Sequence, residues 1–115
     1  MKVSMITANK WLNELFGGGA WLQMHTGDPG DDGTDYGVVA DRVFVDFNTP
    51  TSGSISSMPA NGVVPPSNTT WTHFSLWSAI TGGELKWKDT MLTNVPVKTG
   101  LMIPLEAGAL VLSIG

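Results

Sequence analysis

This sequence predicts a mainly β fold: a compact antiparallel β-sandwich of about seven or eight short strands with one short N-terminal α-helix. Three observations carry the prediction. Charged residues make up only 14% of the chain, and 14 glycines and 7 prolines punctuate it. Apolar residues alternate at period two in several segments, the signature of half-buried strands. Turn signals recur at roughly eight-to-twelve-residue spacing. At 115 residues the chain fits a single domain over 1–115 and can bury roughly two-thirds of its unfolded surface.

The one helical segment comes first. Ala8, Trp11, Leu12, Leu15 and Phe16 fall at helical spacing on one face. Thr7 is a suitable N-cap and Gly17-Gly18-Gly19 a stop, which places the helix over about 7–16. A helix this short needs a docking surface, its own β-core or a neighbouring subunit.

The rest reads as strands and turns. Ala20–Thr26 is apolar and runs into an acidic turn at Asp28–Asp35. Val38–Phe47 alternates, with Val43, Val45 and Phe47 against Arg42, Phe44 and Asp46. Ser54–Met58 is a short polar strand, and Pro59–Thr70 is a Pro-rich loop with a short Val63-Val64 segment. Trp71–Ser78 puts Thr72, Phe74 and Leu76 on one face and Trp71, His73, Ser75 and Trp77 on the other. Thr81–Glu84 then turns the chain into Leu85–Leu92. Val95–Lys98, Leu101–Leu105 and Ala109–Ile114 close the chain.

Composition excludes several functions. With no cysteine there is no disulfide framework and no thiolate metal site. The net charge is −4, and residues 28–46 hold six aspartates against the single Arg42. The basic residues do not cluster beyond Lys86 and Lys88, so a nucleic-acid partner is not expected. No apolar run reaches the roughly 20 residues of a membrane span, and residues 1–16 lack a signal-peptide core.

The chemistry-bearing residues point away from catalysis. His25 and His73 lie on apolar strands, and no serine sits in a G-x-S-x-G elbow. The chain is therefore expected not to be an enzyme and to need no cofactor. The run D-P-G-D-D-G-T-D at Asp28–Asp35 departs from the EF-hand spacing, so no metal site is assigned. Its aspartates instead suit bonds to their own turn backbone. Five tryptophans supply either core or an aromatic platform.

Two motifs then carry a resemblance. LQMHTGDPGDDGT and THFSLWSAITGG resemble the L-x-L-H-T-x-D-P-G turn and T-H-F-x-[IL]-[WY]-D-x-x-T-G-G hairpin of a family of small bacteriophage structural proteins. These are described variously as tail-fibre-like, minor tail or head-associated. Ser78 stands where that family usually has aspartate. The resemblance implies a β-rich virion component, made in the host cytoplasm and assembled as a homo-oligomer with phage capsid or tail proteins. A capsid decoration (cement) role suits a lone compact domain, and a tail or receptor-binding role is the alternative. A carbohydrate-binding module built on Trp71, Trp77 and Trp87 is a third reading. The expected partner interface comprises Trp11, Leu15 and Phe16 on the helix, and Trp71, His73 and Trp77 on the strand. The acidic turn is expected at the solvated end of the sandwich, away from that interface.

Overall fold

The computed structural model describes residues 4–38, 40–102 and 104–114; the side chains of Leu92 and Thr93 also lie outside the description. The elements are α1 (Met5–Phe16), β1 (Ala20–His25), β2 (Val43–Val45), β3 (Ser54–Ser56), β4 (Thr69–Trp77), β5 (Leu85–Val97) and β6 (Val111–Ser113). All strand pairs are antiparallel, in a four-stranded sheet ordered β2-β1-β4-β5 and a two-stranded sheet of β3 and β6.

Strand alternation decides what the sheet buries. Leu22 stands opposite Val43 and Leu76, and Met24 opposite Phe74, so these side chains share the core face. Ile55 and Leu112, paired across β3 and β6, and Leu12 and Phe16 of α1 join them in one cluster. Two sheets and a helix thus close on a single core. The chain crosses between the sheets just after β2, where Met58 N–H donates to the Asp46 carbonyl and Asn48 N–H to that of Ser56.

The helix begins a turn earlier than the Thr7 cap predicts. Ser4 is the N-cap, and its hydroxyl accepts from Thr7 N–H at 3.2 Å, which satisfies an otherwise orphaned donor. Ala8, Leu12 and Phe16 form its buried stripe, whereas Trp11 is 39% exposed. The Phe16 ring packs 5.1 Å from Phe47 and 5.9 Å from Trp87. At the C-terminus, Lys86 Nζ donates to the Leu15 carbonyl at 2.7 Å, placing a cation at the negative end of the helix. The chain then reverses at Gly19, at φ +83, where a Cβ would overlap the Phe44 ring.

Several strand boundaries differ from the periodicity reading. Within the expected strand 38–47 only Val43–Val45 is extended and paired as a strand; residue 39 lies outside the description. Leu85–Leu92 and Val95–Lys98 fuse into the one strand β5, because a bulge absorbs the gap. Trp71 pairs with Val95 and His73 with Thr90, so four β5 residues stand against Thr72 alone. The same bulge breaks the alternation of β4: Trp71 turns into the core cluster, while His73 stays on the opposite face. Val63 is buried but belongs to no strand. The expected strand 101–105 is represented by a single bridge, Ala60 to Leu105; residue 103 lies outside the description.

The helix stripe yields a direct test. Leu12→Ala should cost about 2–5 kcal/mol of unfolding free energy, whereas Ile6→Ala, on the solvent side of the same helix, should stay within about 0.5 kcal/mol. Urea denaturation distinguishes them. Equal losses would mean that α1 does not dock through the Ala8–Leu12–Phe16 stripe.

Candidate partner interface and the acidic loop

The face of the four-stranded sheet turned away from the core carries Trp21, Gln23 and His25 of β1, and His73, Ser75 and Trp77 of β4. Such a face in a β-sandwich usually meets water. Here residues 26–38 fold back across it, with Arg42 beyond them. Thr26 N–H donates to the Tyr36 carbonyl at 3.1 Å, and Val38 N–H to that of Met24 at 2.9 Å. Pro29 is buried, and Gly33, at φ +73, lies so close to Leu85 that a Cβ would stand 2.8 Å from its methyl groups. The acidic segment is therefore a cover for the sheet rather than a free solvated end, which corrects the placement expected from its composition.

Polar stitches hold this cover. His25 is fully buried, with Nδ1 2.7 Å from the Asp35 carbonyl oxygen and Nε2 2.7 Å from Ser75 Oγ. Trp77 Nε1–H donates to the same Ser75 oxygen at 2.7 Å. Burial pushes the His25 imidazole below its ordinary pKa, against the opposing pull of the Asp35 carbonyl; His73 and Arg42 lower it further. The Arg42 guanidinium lies 4.2 Å above the Trp77 ring and donates to the Ala79 and Gly82 carbonyls at 2.9 and 2.7 Å. Sequence periodicity could not show this role, because Arg42 reads as the polar partner of an alternating strand.

The aspartates themselves point outward. Asp28, Asp31, Asp32 and Asp35 are all exposed. Asp28 accepts from Gly30 N–H at 2.9 Å, and that bond, helped by Lys88, draws its carboxyl below the ordinary range. Lys88 Nζ donates to the Gly30 carbonyl at 2.6 Å and stands 3.9 Å from both Asp28 and Asp31. An ammonium thus occupies the middle of the acidic turn. Among the described residues no group of three or more His, Cys, Asp or Glu is placed to hold a metal ion.

The residues expected at a partner interface separate into three environments. Phe16 is 0% exposed, Trp71 4% and Trp77 6%: the first two sit in the core cluster and the third under Arg42. Trp11 and Leu15, four residues apart on the flank of α1, keep partial exposure on the core side of the sheet. His73 keeps partial exposure on the opposite side, in a groove of about 180 Å³ with Asp28, Pro29, Lys88, Asp89 and Thr90. These residues do not converge on one surface. Nor do Trp71, Trp77 and Trp87 form a sugar-binding platform: Trp71 and Trp87 face the core and Trp77 the other side.

Other apolar surface lies outside the expected interface. Val64, Leu101 and Met102 are exposed, and Gly100 N–H to the Pro65 carbonyl, 2.9 Å, ties their two loops together. In the sequence they fall in the Val63-Val64 segment and the expected strand 101–105, and a short apolar run does not show by itself which side chains stay exposed.

Two substitutions probe the cover. Gly33→Ala combines a left-handed backbone with a clash against Leu85 and should cost about 2 kcal/mol or more, whereas Gly82→Ala, with open space around it, should cost only about 1–2 kcal/mol. Arg42→Ala should cost about 1–3 kcal/mol through the unpaired carbonyls and the bared Trp77 ring. A thermal midpoint unchanged in both Gly33→Ala and Arg42→Ala would show that the segment does not pack on the sheet.

A family model described as podophage GP4 fiber I protein gp80 matches residues 2–113, nearly the whole chain. The chain belongs to this family of phage fibre proteins. No curated protein matches it significantly.

Proposed function

We propose that this chain is a non-enzymatic structural subunit of the phage fibre assembly and works by binding neighbouring virion proteins. The observation that carries the reading is the family match over residues 2–113. The structure is compatible with it: the two histidines have structural surroundings, with His25 buried in the sheet cover and His73 bonded at Nδ1 to the neighbouring Thr72 hydroxyl. No helix among the described residues is long and apolar enough to cross a membrane.

The contacts are assigned to side chains rather than to strand pairing. β5 is an edge strand of 13 residues, but a bulge, Lys86, Lys88, Asp89 and Pro96 interrupt it, and such features discourage addition of a further strand. The Trp11–Leu15 flank of α1 is the part of the expected interface best placed to meet a partner. Repeated copies in a homo-oligomer would compensate for modest individual contacts.

A capsid decoration role is the second reading. It is favoured by the compact shape, 42 × 27 × 24 Å. Copy number separates the two. Quantitative mass spectrometry of purified virions, with antibody labelling in electron micrographs, should find a small number of copies at the tail; hundreds on the head would replace the fibre role with decoration.

Trp11→Ala should reduce incorporation into particles severalfold while changing unfolding free energy by less than about 1 kcal/mol. Normal incorporation of a folded Trp11→Ala chain would remove the α1 flank from the interface.

A further inference from the structure

We propose that His25 is a proton-sensitive latch: in its neutral form it clamps the acidic segment over the outer face of the four-stranded sheet, and protonation releases that segment and opens the face carrying Trp77. The hydrogen-bond geometry fixes the proton arrangement of the closed state. The Asp35 carbonyl can only accept, so His25 Nδ1 carries the hydrogen across their 2.7 Å contact. Nε2 is then an acceptor, and the Ser75 hydroxyl donates to it at 2.7 Å. Trp77 Nε1–H donates to the Ser75 oxygen. Each donor in this chain has one acceptor.

A proton added at Nε2 does not fit. The new N–H would face the Ser75 hydroxyl hydrogen across the same short distance, so the hydroxyl must rotate away. Ser75 Oγ would then accept from both His25 and Trp77, and its own hydrogen has no partner in the contacts that the oxygen makes. A buried donor without a partner is costly, and the fully buried ring meets no water to solvate its charge.

The groups around the ring do not rescue the cation. From β4, His73 stands opposite His25 in register, and Arg42 lies over the Trp77 ring; each disfavours a positive charge on His25. From β5, Lys88 binds the cover itself at Gly30. The cover offers a carbonyl of Asp35 to the ring, while the Asp35 carboxylate lies against Gly30. Asp28 is engaged with Gly30 N–H and Lys88, and Asp89 lines the neighbouring groove beside His73. Among the described residues no carboxylate is within ion-pair distance of the His25 ring.

The direction with pH follows. His25 is held below its ordinary value of 6.5 in the closed state, so an opened segment takes up the proton first. Closure is at full strength above pH 6.5, weakens as pH falls below it, and has lost this contribution once pH passes the lowered closed-state value. β1 and β4 continue to pair on their core-facing side chains, Leu22 with Leu76 and Met24 with Phe74, so release is local.

Nuclear magnetic resonance of the full chain, titrated from about pH 7.5 to about pH 5 around the ordinary histidine value, tests the latch. The His25 ring should titrate below 6.5, and the amides of Thr26, Asp35 and Val38 should shift or broaden with the same midpoint. Protection of the Trp77 indole N–H should fall at least about tenfold, while the amides of Leu22 and Met24 hold. His25→Gln should abolish the segment's response, and His73→Gln should keep it. The proposal is overturned if the segment stays unchanged as His25 titrates, if all strands are lost together, or if the response survives in His25→Gln. Should His25→Gln fail to fold, the coincidence of midpoints in the unaltered chain decides the matter.

Discussion

The row His25, Ser75 and Trp77 is the constraint on which the arrangement of the larger sheet depends. β1 and β4 are covered on both faces: Leu22, Met24, Phe74 and Leu76 toward the core, and His25, Ser75 and Trp77 toward the acidic segment. A second apolar layer would normally provide such a cover. Here the segment is rich in Gly and Asp and can bury little apolar surface of its own. It approaches by backbone, with carbonyls of Asp35 and Gly30 as its points of attachment. Buried polar groups on the sheet are tolerated because each bond in the row is completed by the next.

The same arrangement explains how four aspartates can crowd one turn. Their carboxylates point to solvent, where screening weakens repulsion, and Lys88 lies between two of them. The exposed ion pairs add little. What binds the segment is the Lys88 bond to a main-chain oxygen, the packing of Pro29 and Gly33, and Arg42 bridging Trp77 to the Ala79–Gly82 turn. The negative charge is thereby displayed outward while the neutral backbone faces in.

Much of the fold was legible in the sequence, and the exceptions have physical causes. Ala20–His25 was legible as an apolar run, and period-two alternation grouped Val43 with Val45 and Phe74 with Leu76, because residues two apart on a strand share a face. Trp71 was assigned the wrong face because alternation counts residues, whereas the bulge opposite Thr72 changes which way the strand turns. The helix start moved to Ser4 because two hydroxyl residues three apart, Ser4 and Thr7, both qualify as caps. The candidate interface was legible only in part. Spacing placed Trp11, Leu15 and Phe16 together on one helix face, but burial of Phe16 and Trp77 depends on neighbours distant in the chain, namely Phe47, Trp87 and Arg42.

The two motifs that carried the family resemblance turn out to be neighbours in space. LQMHTGDPGDDGT supplies β1 and its cover; THFSLWSAITGG supplies β4 and the turn that follows. They meet at Leu22 with Leu76, at His25 with Ser75, and, through Arg42 just beyond the first motif, at Ala79 and Gly82. Even the departure at Ser78 fits this unit, since its hydroxyl accepts from Glu84 N–H at 2.8 Å, a bond that an aspartate side chain would also make. The motifs therefore encode a packed structural unit, and their presence says more about how the domain is built than about what it touches. On the proposed reading, partner contacts would lie on the α1 flank and on the loops bearing Val64 and Leu101, whose exposed apolar side chains do no work within the core.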